Sequence, residues 1–478
     1  HALLLLALLI FFAEATEARS GIPQRAPIAA VVDSADKANQ EQHVWVRSGK
    51  PAPQAQTALH ILATAHSHGL DDQPYRVNAL HRQYAALAQG NGGRWQDFEL
   101  GLMNSLVRFA HDMRPADFAE LSDQERTQSL ATAILDAAKS GELDQFFDRL
   151  APHDPQYDAL RKALRSYESL PRSRSRILVG EGPALSRGDV GPRVGRLRER
   201  LLGANDPAER ENERSTFDEG LEQAVKAYQS SNGLASDGIV GPSTVRQLDM
   251  SDDERIALIK LNLGRWRHLP VDLGRDHILV NIPEYRLRYV REREQSLSMR
   301  VVVGSRSNPT PEFSDQIEYL VFNPFWYVPK SIVRGELLPA LQKNDSYLSA
   351  NRYELLADGR AIAPEDVDFS SVDFSQFPYR IRQKPGSHNA LGAVKFLFPN
   401  PRNIYLHDSP AKNLYTRPKR AFSHGCIRLE NPDVLARALL EKDAGWTESR
   451  ISSTISGGER HQVNLDETVP IHLAYFTV

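Results

Sequence analysis

Cysteine is almost absent from this chain: Cys426 is the only one in 478 residues. A single cysteine excludes an internal disulfide and any metal site built on paired thiolates, so stability must come from ordinary cores and the thiol is left free for chemistry. No His-Glu-x-x-His pattern occurs, the histidines lack ligand spacing, and no glycine-rich phosphate loop is present. Metal hydrolysis is therefore disfavoured, and neither a metal nor a cofactor is expected. Neither sign of charge dominates: 58 Lys and Arg against 61 Asp and Glu give a formal net charge of -3. With the basic residues scattered, nucleic acid is not an expected partner.

The apolar run Ala2–Ala13 is short. As a helix it would span about 18 Å against a hydrocarbon core of about 30 Å. It runs into Ala13-Glu14-Ala15, an A-x-A pattern of the signal-peptidase type, so residues 1–19 read as an export signal, with an uncleaved membrane anchor as the alternative.

At 41% hydrophobic and 25% charged residues the remainder has an ordinary globular composition, and its length predicts about two to four domains. Residues 20–55 are polar and proline-punctuated and read as a linker or extended arm. Residues 56–176 follow a helical period, with Tyr157, Leu160, Leu164 and Tyr167 on one stripe. Residues 177–252 predict three small helices. Gly188 and Gly191 turn into the first, which carries Leu197, Leu201 and Leu202; Leu221, Val225, Tyr228 and Gln229 mark the second; Thr244 and Leu248 mark the third. From about 276 the texture is strand-like: 277–282, 285–290, 299–303, 319–322 and 469–478. Residues 328–380 interrupt it, with helical signals at 337–341 and 347–356 and an acidic stretch at 365–373 that suits a lid.

The chemistry-bearing string is Ser423-His424-Gly425-Cys426, with His407 upstream in Ile404-Tyr405-Leu406-His407-Asp408. A thiol attacks as thiolate, and an imidazole is the usual acceptor for its proton. Cys426 thus reads as nucleophile and His407 as general base and acid. Glycine at 425, lacking a Cβ, lets the Gly425 and Cys426 amides point at a developing oxyanion. His424 reads as support. Arg428 suits a bidentate grip on a substrate carboxylate, or else a structural ion pair. Ser423, Tyr405 and Trp326 are candidate substrate contacts, though aromatic residues in strand-like runs also serve as core.

Two resemblances follow. Leu185, Gly188, Gly191, Val194 and Leu197, then Ala224-Val225 with Tyr228-Gln229, then Asp237-Gly238, Gly241 and Thr244 resemble the peptidoglycan-binding module of cell-wall enzymes. The strings Asn323-Pro324-Phe325-Trp326, Lys384-Pro385-Gly386, Phe398-Pro399-Asn400 and His407 ahead of Ser-His-Gly-Cys resemble the L,D-transpeptidases, in their large periplasmic branch. Tyr327 departs from the asparagine expected there. The resemblance implies a multidomain α+β chain: a helical scaffold, an embedded peptidoglycan-binding module and, over 253–478, a mostly β catalytic domain with a capping insertion at about 328–380. It further implies a periplasmic enzyme acting on peptidoglycan tetrapeptide stems through a thioester, forming 3,3 cross-links and releasing D-alanine. The Asp408 main-chain carbonyl would orient His407, with the Asp408 side chain as competitor. Carbapenems would acylate the thiol, and other cell-wall synthesis enzymes are candidate partners. Water as acceptor would make the enzyme a carboxypeptidase, and a lipoprotein lysine would make it an attaching enzyme. Outside this class stand a hydrolytic cysteine peptidase, disfavoured because His407 precedes Cys426, and a non-catalytic wall-binding protein.

Overall fold

A computed structural model describes residues 43–90, 94–114, 121–171, 176–203, 206, 211–341, 343, 344, 346–367, 369, 377–441 and 445–478. The export signal and most of the arm lie outside these residues. Two compact units divide at Asp272/Leu273.

The first unit begins earlier than the periodicity suggests. A small hairpin, β1 (Val46–Arg47) with β2 (Lys50–Pro51), leads into the helix Pro53–Ala63. Trp45, 1% exposed, sits in the same core as Leu59, Leu102 and Phe109. The C-terminal end of the expected arm is therefore folded, because burying an indole outweighs its polar, proline-rich surroundings. The helices Val77–Ala88, Trp95–Met113, Asp123–Ser140 and Leu143–Leu150 add to that core. In Pro155–Glu168 the predicted stripe is buried at Tyr157, Leu160 and Leu164.

The small module has its three expected helices, Pro192–Leu201, Glu219–Ser231 and Pro242–Asp249, around Val194, Leu197, Leu221, Val225 and Leu248, with a further short turn at Glu211–Arg214. Gln229 is 1% exposed: its amide donates to Asp237 Oδ1 and to the Ile239 carbonyl, both at 2.9 Å, and its oxygen accepts from Gly238 N–H at 2.9 Å. That side chain is committed to holding the turn.

The helix Asp252–Arg267 corrects a boundary. Its Ser251 and Glu254 form a reciprocal cap at the N-terminus. Lys260 pairs with Glu168 at 3.4 Å and the Arg267 Nε donates to the Asp112 carbonyl at 3.1 Å, so it belongs with the helices and not with the catalytic domain expected from 253.

The second unit is built on strands β3 (His277–Asn281), β4 (Arg286–Arg291), β5 (Glu294–Gly304), β6 (Phe313–Phe322), β7 (Trp326–Tyr327), β8 (Tyr353–Ala357), β9 (Arg360–Ile362), β10 (Arg380–Gln383), β11 (Val394–Leu397), β12 (Leu406–His407), β13 (Ala421–Ser423), β14 (Ile427–Leu429) and β15 (His461–Ala474). The larger sheet runs β13-β5-β14-β12-β11-β6-β15-β3-β4, and β4 also pairs with β5, so all but β13 close into a ring. Inside lie Ile278, Val301, Leu320, Phe396, Leu406 and Ile427; Leu435 and Leu439 of the helix Pro432–Leu440 join the same core.

The insertion forms its own layer, a sheet β7-β10-β8-β9 over a separate core of Ile332, Val333, Leu337, Leu341, Leu355 and Ile381. Its helical run Lys330–Leu341 includes a π-helical turn, Val333–Leu337. The second expected helix is cut short to Tyr347–Ala350: Arg352 takes a left-handed conformation (φ 58°), and Tyr353–Ala357 pairs with β10 as strand. Most of the acidic stretch, 368 and 370–373, lies outside the described residues.

Candidate active site

Strand alternation selects the residues of the site. Phe396 opposes Leu406 and Leu406 opposes Ile427, and all three are in the core. The next register positions, Lys395 opposite His407 and His407 opposite Arg428, therefore project to the other face as one row across β11, β12 and β14. That face is the floor of a cleft of about 620 Å³, whose lining includes Trp326, Glu336, Lys395, Asn403, Tyr405, His407, Ser423, His424, Cys426 and Arg428.

Of the residues expected from sequence, Cys426, His407, His424, Arg428, Ser423, Tyr405 and Trp326 thus share one cleft. Asp408 and Gly425 lie in the adjoining backbone. The His407 Nδ1 donates to the Asp408 carbonyl at 2.5 Å. A carbonyl only accepts, so Nδ1 carries the proton and Nε2 is left as the basic nitrogen. The competing Asp408 side chain is engaged elsewhere: its oxygens accept from Ala393 N–H at 2.9 Å, Ser409 N–H at 2.6 Å and Lys412 Nζ at 2.7 Å. Gly392 makes room for it. A Cβ there would fall 2.2 Å from Asp408 Oδ2, at a left-handed φ of 59°.

The turn bearing the thiol is tied from both sides. Gly425 has φ 114°, a conformation that side chains resist. Thr310 Oγ1 accepts from Gly304 N–H at 2.9 Å and donates to the Gly425 carbonyl at 2.7 Å. Ser423, 2% exposed, donates to the Cys426 carbonyl at 2.5 Å and accepts from the Gly425 amide at 3.1 Å. This differs from the sequence expectation in two ways. The Ser423 hydroxyl is used to hold the turn instead of pointing freely at a ligand, and the Gly425 amide is occupied by Ser423 instead of standing open as a donor.

Burial pushes the Cys426 thiol above its ordinary value, against hydrogen bonds from Tyr405 and the charges of Lys395 and Arg428 that pull it down. Burial, and next the Arg428 charge, push the His407 imidazolium down to about 3, against its bond to Asp408. At neutral pH both groups are uncharged. The Cys426 Sγ donates to the Asn403 carbonyl at 3.6 Å. Above the turn, His424 Nε2 meets Glu336 Oε1 at 2.8 Å, joining the cysteine string to the π-helical turn of the insertion.

Sequence reading missed Lys395, Thr310 and Glu336. Lys395 stands on a strand whose alternation would have placed it opposite Phe396, but nothing in its local sequence marks it. Thr310 acts over 115 positions and Glu336 from within the insertion, beyond any local signal.

The L,D-transpeptidase catalytic domain family matches residues 275–444, a family described as "Scaffold domain" matches 36–164, and one described as "Putative peptidoglycan binding domain" matches 190–248. A Haemophilus influenzae protein named "Putative L,D-transpeptidase" is 37% identical over 220 residues, covering 46% of this chain and 44% of that protein. The chain thus aligns with less than half the length of this relative. Among solved structures, an L,D-transpeptidase from Xylanimonas cellulosilytica is 15% identical with a TM-score of 0.20, covering 62% of this chain and 98% of that one. The Ldtfm-avibactam carbamoyl enzyme is 11% identical with a TM-score of 0.21, covering 53% and 80%. Residues 275–444 thus carry a region similar to the L,D-transpeptidase catalytic domain, behind regions similar to a scaffold domain and a peptidoglycan binding domain.

Proposed function

We propose that the chain cross-links peptidoglycan stems through a Cys426 thioester, joining the third residue of a tetrapeptide donor to the side-chain amine of a second stem. In this reading His407 Nε2 takes the thiol proton as Sγ bonds to the donor carbonyl carbon. The carbon–nitrogen bond then breaks, the proton passes to the departing amine, and D-alanine leaves. The acceptor amine repeats the sequence in reverse, losing its proton to His407 as the thioester opens and the new amide forms. Because the resting pair is neutral, proton transfer accompanies attack instead of preceding it. With the Gly425 amide held by Ser423, the Cys426 amide is the remaining donor of that pair for the oxyanion, a role typically worth about 2.7 to 4 kcal/mol.

The observation that carries the reading is the hydrogen bond from His407 Nδ1 to the Asp408 carbonyl, which leaves Nε2 unprotonated in the cleft that also contains Cys426 and so supports His407 as the base. Export to the periplasm and acylation of the thiol by carbapenems accompany the reading. Mass spectrometry of the purified protein with disaccharide-tetrapeptide, beside Cys426→Ala, tests it. A cross-linked dimer lacking one alanine, absent in the variant, is expected. Tripeptide alone would reassign the enzyme to hydrolysis, and turnover retained by Cys426→Ala would overturn the mechanism.

A further inference from the structure

The row Lys395–His407–Arg428 places a cation on either side of the imidazole. Neither cation makes an ion pair with a carboxylate among the described residues. The nearby carboxylates have other duties: Asp408 is held by two amides and Lys412, and Glu336 meets His424. The Arg428 Nε is buried with no hydrogen-bond partner among the described residues, and Lys395 Nζ lies over the Tyr405 ring, 3.8 Å from its centroid.

Such an arrangement is costly. Two half-buried cations are partly stripped of water, and both oppose protonation of the imidazole between them, the state through which the base must pass. An anion seated between them would reverse both costs. Among the described residues the cleft offers no uncommitted carboxylate, and the Cys426 thiol is neutral at rest because burial pushes it up, so an anion seated between the cations belongs to the ligand.

We propose that Lys395 and Arg428 form a carboxylate site beside the Cys426 thiol, and that it reads the terminal carboxylate of the amino acid that leaves the donor stem. The second half rests on the transpeptidase reading. In a tetrapeptide donor only one Cα separates the scissile nitrogen from the terminal carboxylate, so a nitrogen placed to take a proton from His407 brings that carboxylate to the His407 row. A donor longer by one residue presents a neutral amide there. The pair would thus be a specificity device for donors that lose a single residue, with Arg428 supplying a planar fork and Lys395 a point charge.

Two measurements test this. The first needs no knowledge of the substrate: Cys426 is alkylated with iodoacetate and with iodoacetamide, and the rate ratio is referred to a free cysteine derivative. A carboxylate site predicts a ratio about tenfold or more above the reference in the wild type, reduced at least about fivefold in Lys395→Met and largely recovered in Lys395→Arg. A ratio identical in wild type and Lys395→Met overturns the site, whatever the enzyme's substrate. The second compares kcat/KM for tetrapeptide donors ending in carboxylate and in carboxamide. Preference for the carboxylate by about 30-fold or more, collapsing in Lys395→Met, supports the assignment to the leaving residue. An anion preference in alkylation without donor discrimination keeps the site and overturns that assignment. Wild-type protein inert toward every donor would instead sink the transpeptidase reading and the assignment that rests on it, while the alkylation ratio still decides the site.

Discussion

His407 Nδ1 and the main-chain oxygen of Asp408 lie 2.5 Å apart, so the imidazole is oriented by the backbone of its own neighbour and not by a carboxylate. The partner cannot titrate. It also cannot be removed by changing a side chain.

Asp408→Asn should therefore lower kcat/KM by less than about tenfold, where loss of a carboxylate that orients the base typically costs about 10⁴-fold. Gly392→Ala should be worse than Asp408→Asn, since its Cβ would strike the Asp408 carboxylate and displace the carbonyl that holds His407. A stability loss of about 1–3 kcal/mol is expected with it. Steady-state turnover and thermal melts of both variants decide the order; a collapse in Asp408→Asn alone would reassign the orienting role to the carboxylate.

A thiol pushed up by burial beside an imidazolium pushed down to about 3 has consequences for reactivity. Alkylation of Cys426 by iodoacetamide should be slow at pH 7 and climb continuously through pH 9, because the thiolate fraction rises with each unit. His407→Ala should leave that profile nearly unchanged while abolishing turnover. A reactive plateau between pH 5 and 7 would instead reveal a thiolate–imidazolium pair at rest.

The contact between His424 and Glu336 ties the insertion to the cysteine string, and both side chains are exposed. An exposed pair contributes little to global stability, so His424→Ala should barely move the melting temperature. Its effect should be local: faster amide hydrogen exchange in Val333–Leu341, with turnover reduced by about two- to tenfold. Unchanged exchange there would show that the contact does not restrain the insertion.

His472 gives the second unit an acid limit. Burial pushes its imidazolium down to about 4, while its Nε2 donates to the Leu273 carbonyl at 2.9 Å and its Nδ1 meets Ser314 Oγ at 2.8 Å. The unfolded chain binds this proton near pH 6.5 and the folded one only near 4, so stability is full above 6.5 and falls as pH drops through that window. The loss attributable to this group is on the order of 3 kcal/mol. Denaturant melts from pH 7 to 4 should show it, and His472→Gln should flatten the slope.

Much of the site was legible because its chemistry depends on rare or reactive residue types. A lone cysteine after glycine and a histidine upstream stand out without a fold. The turn glycines and apolar spacing of the small module were equally readable, since local backbone needs dictate them. Lys395 was not, because a lysine on a strand acquires meaning only when two other strands set His407 and Arg428 beside it. The helix Asp252–Arg267 carried a readable cap at Ser251 and Glu254, but its partners, Glu168 and Asp112, are far away in sequence. The apolar triplet Val44-Trp45-Val46 was too short to stand out from the polar, proline-punctuated residues on either side of it, and only the distant helices of the core give it a place to be buried.

The ring closure of the larger sheet bears on how this unit meets other chains. With β4 bonded to both β3 and β5, its central strands offer no open row of amides and carbonyls, and the appended β13 is only three residues long. Closed sheets give stray peptides nothing to zip onto. Extended peptide is thereby kept from pairing along the larger sheet, while the insertion's sheet keeps two short edges, β7 and β9, of two and three residues. The short edge of the larger sheet, β13, runs directly into the Ser423–Cys426 turn.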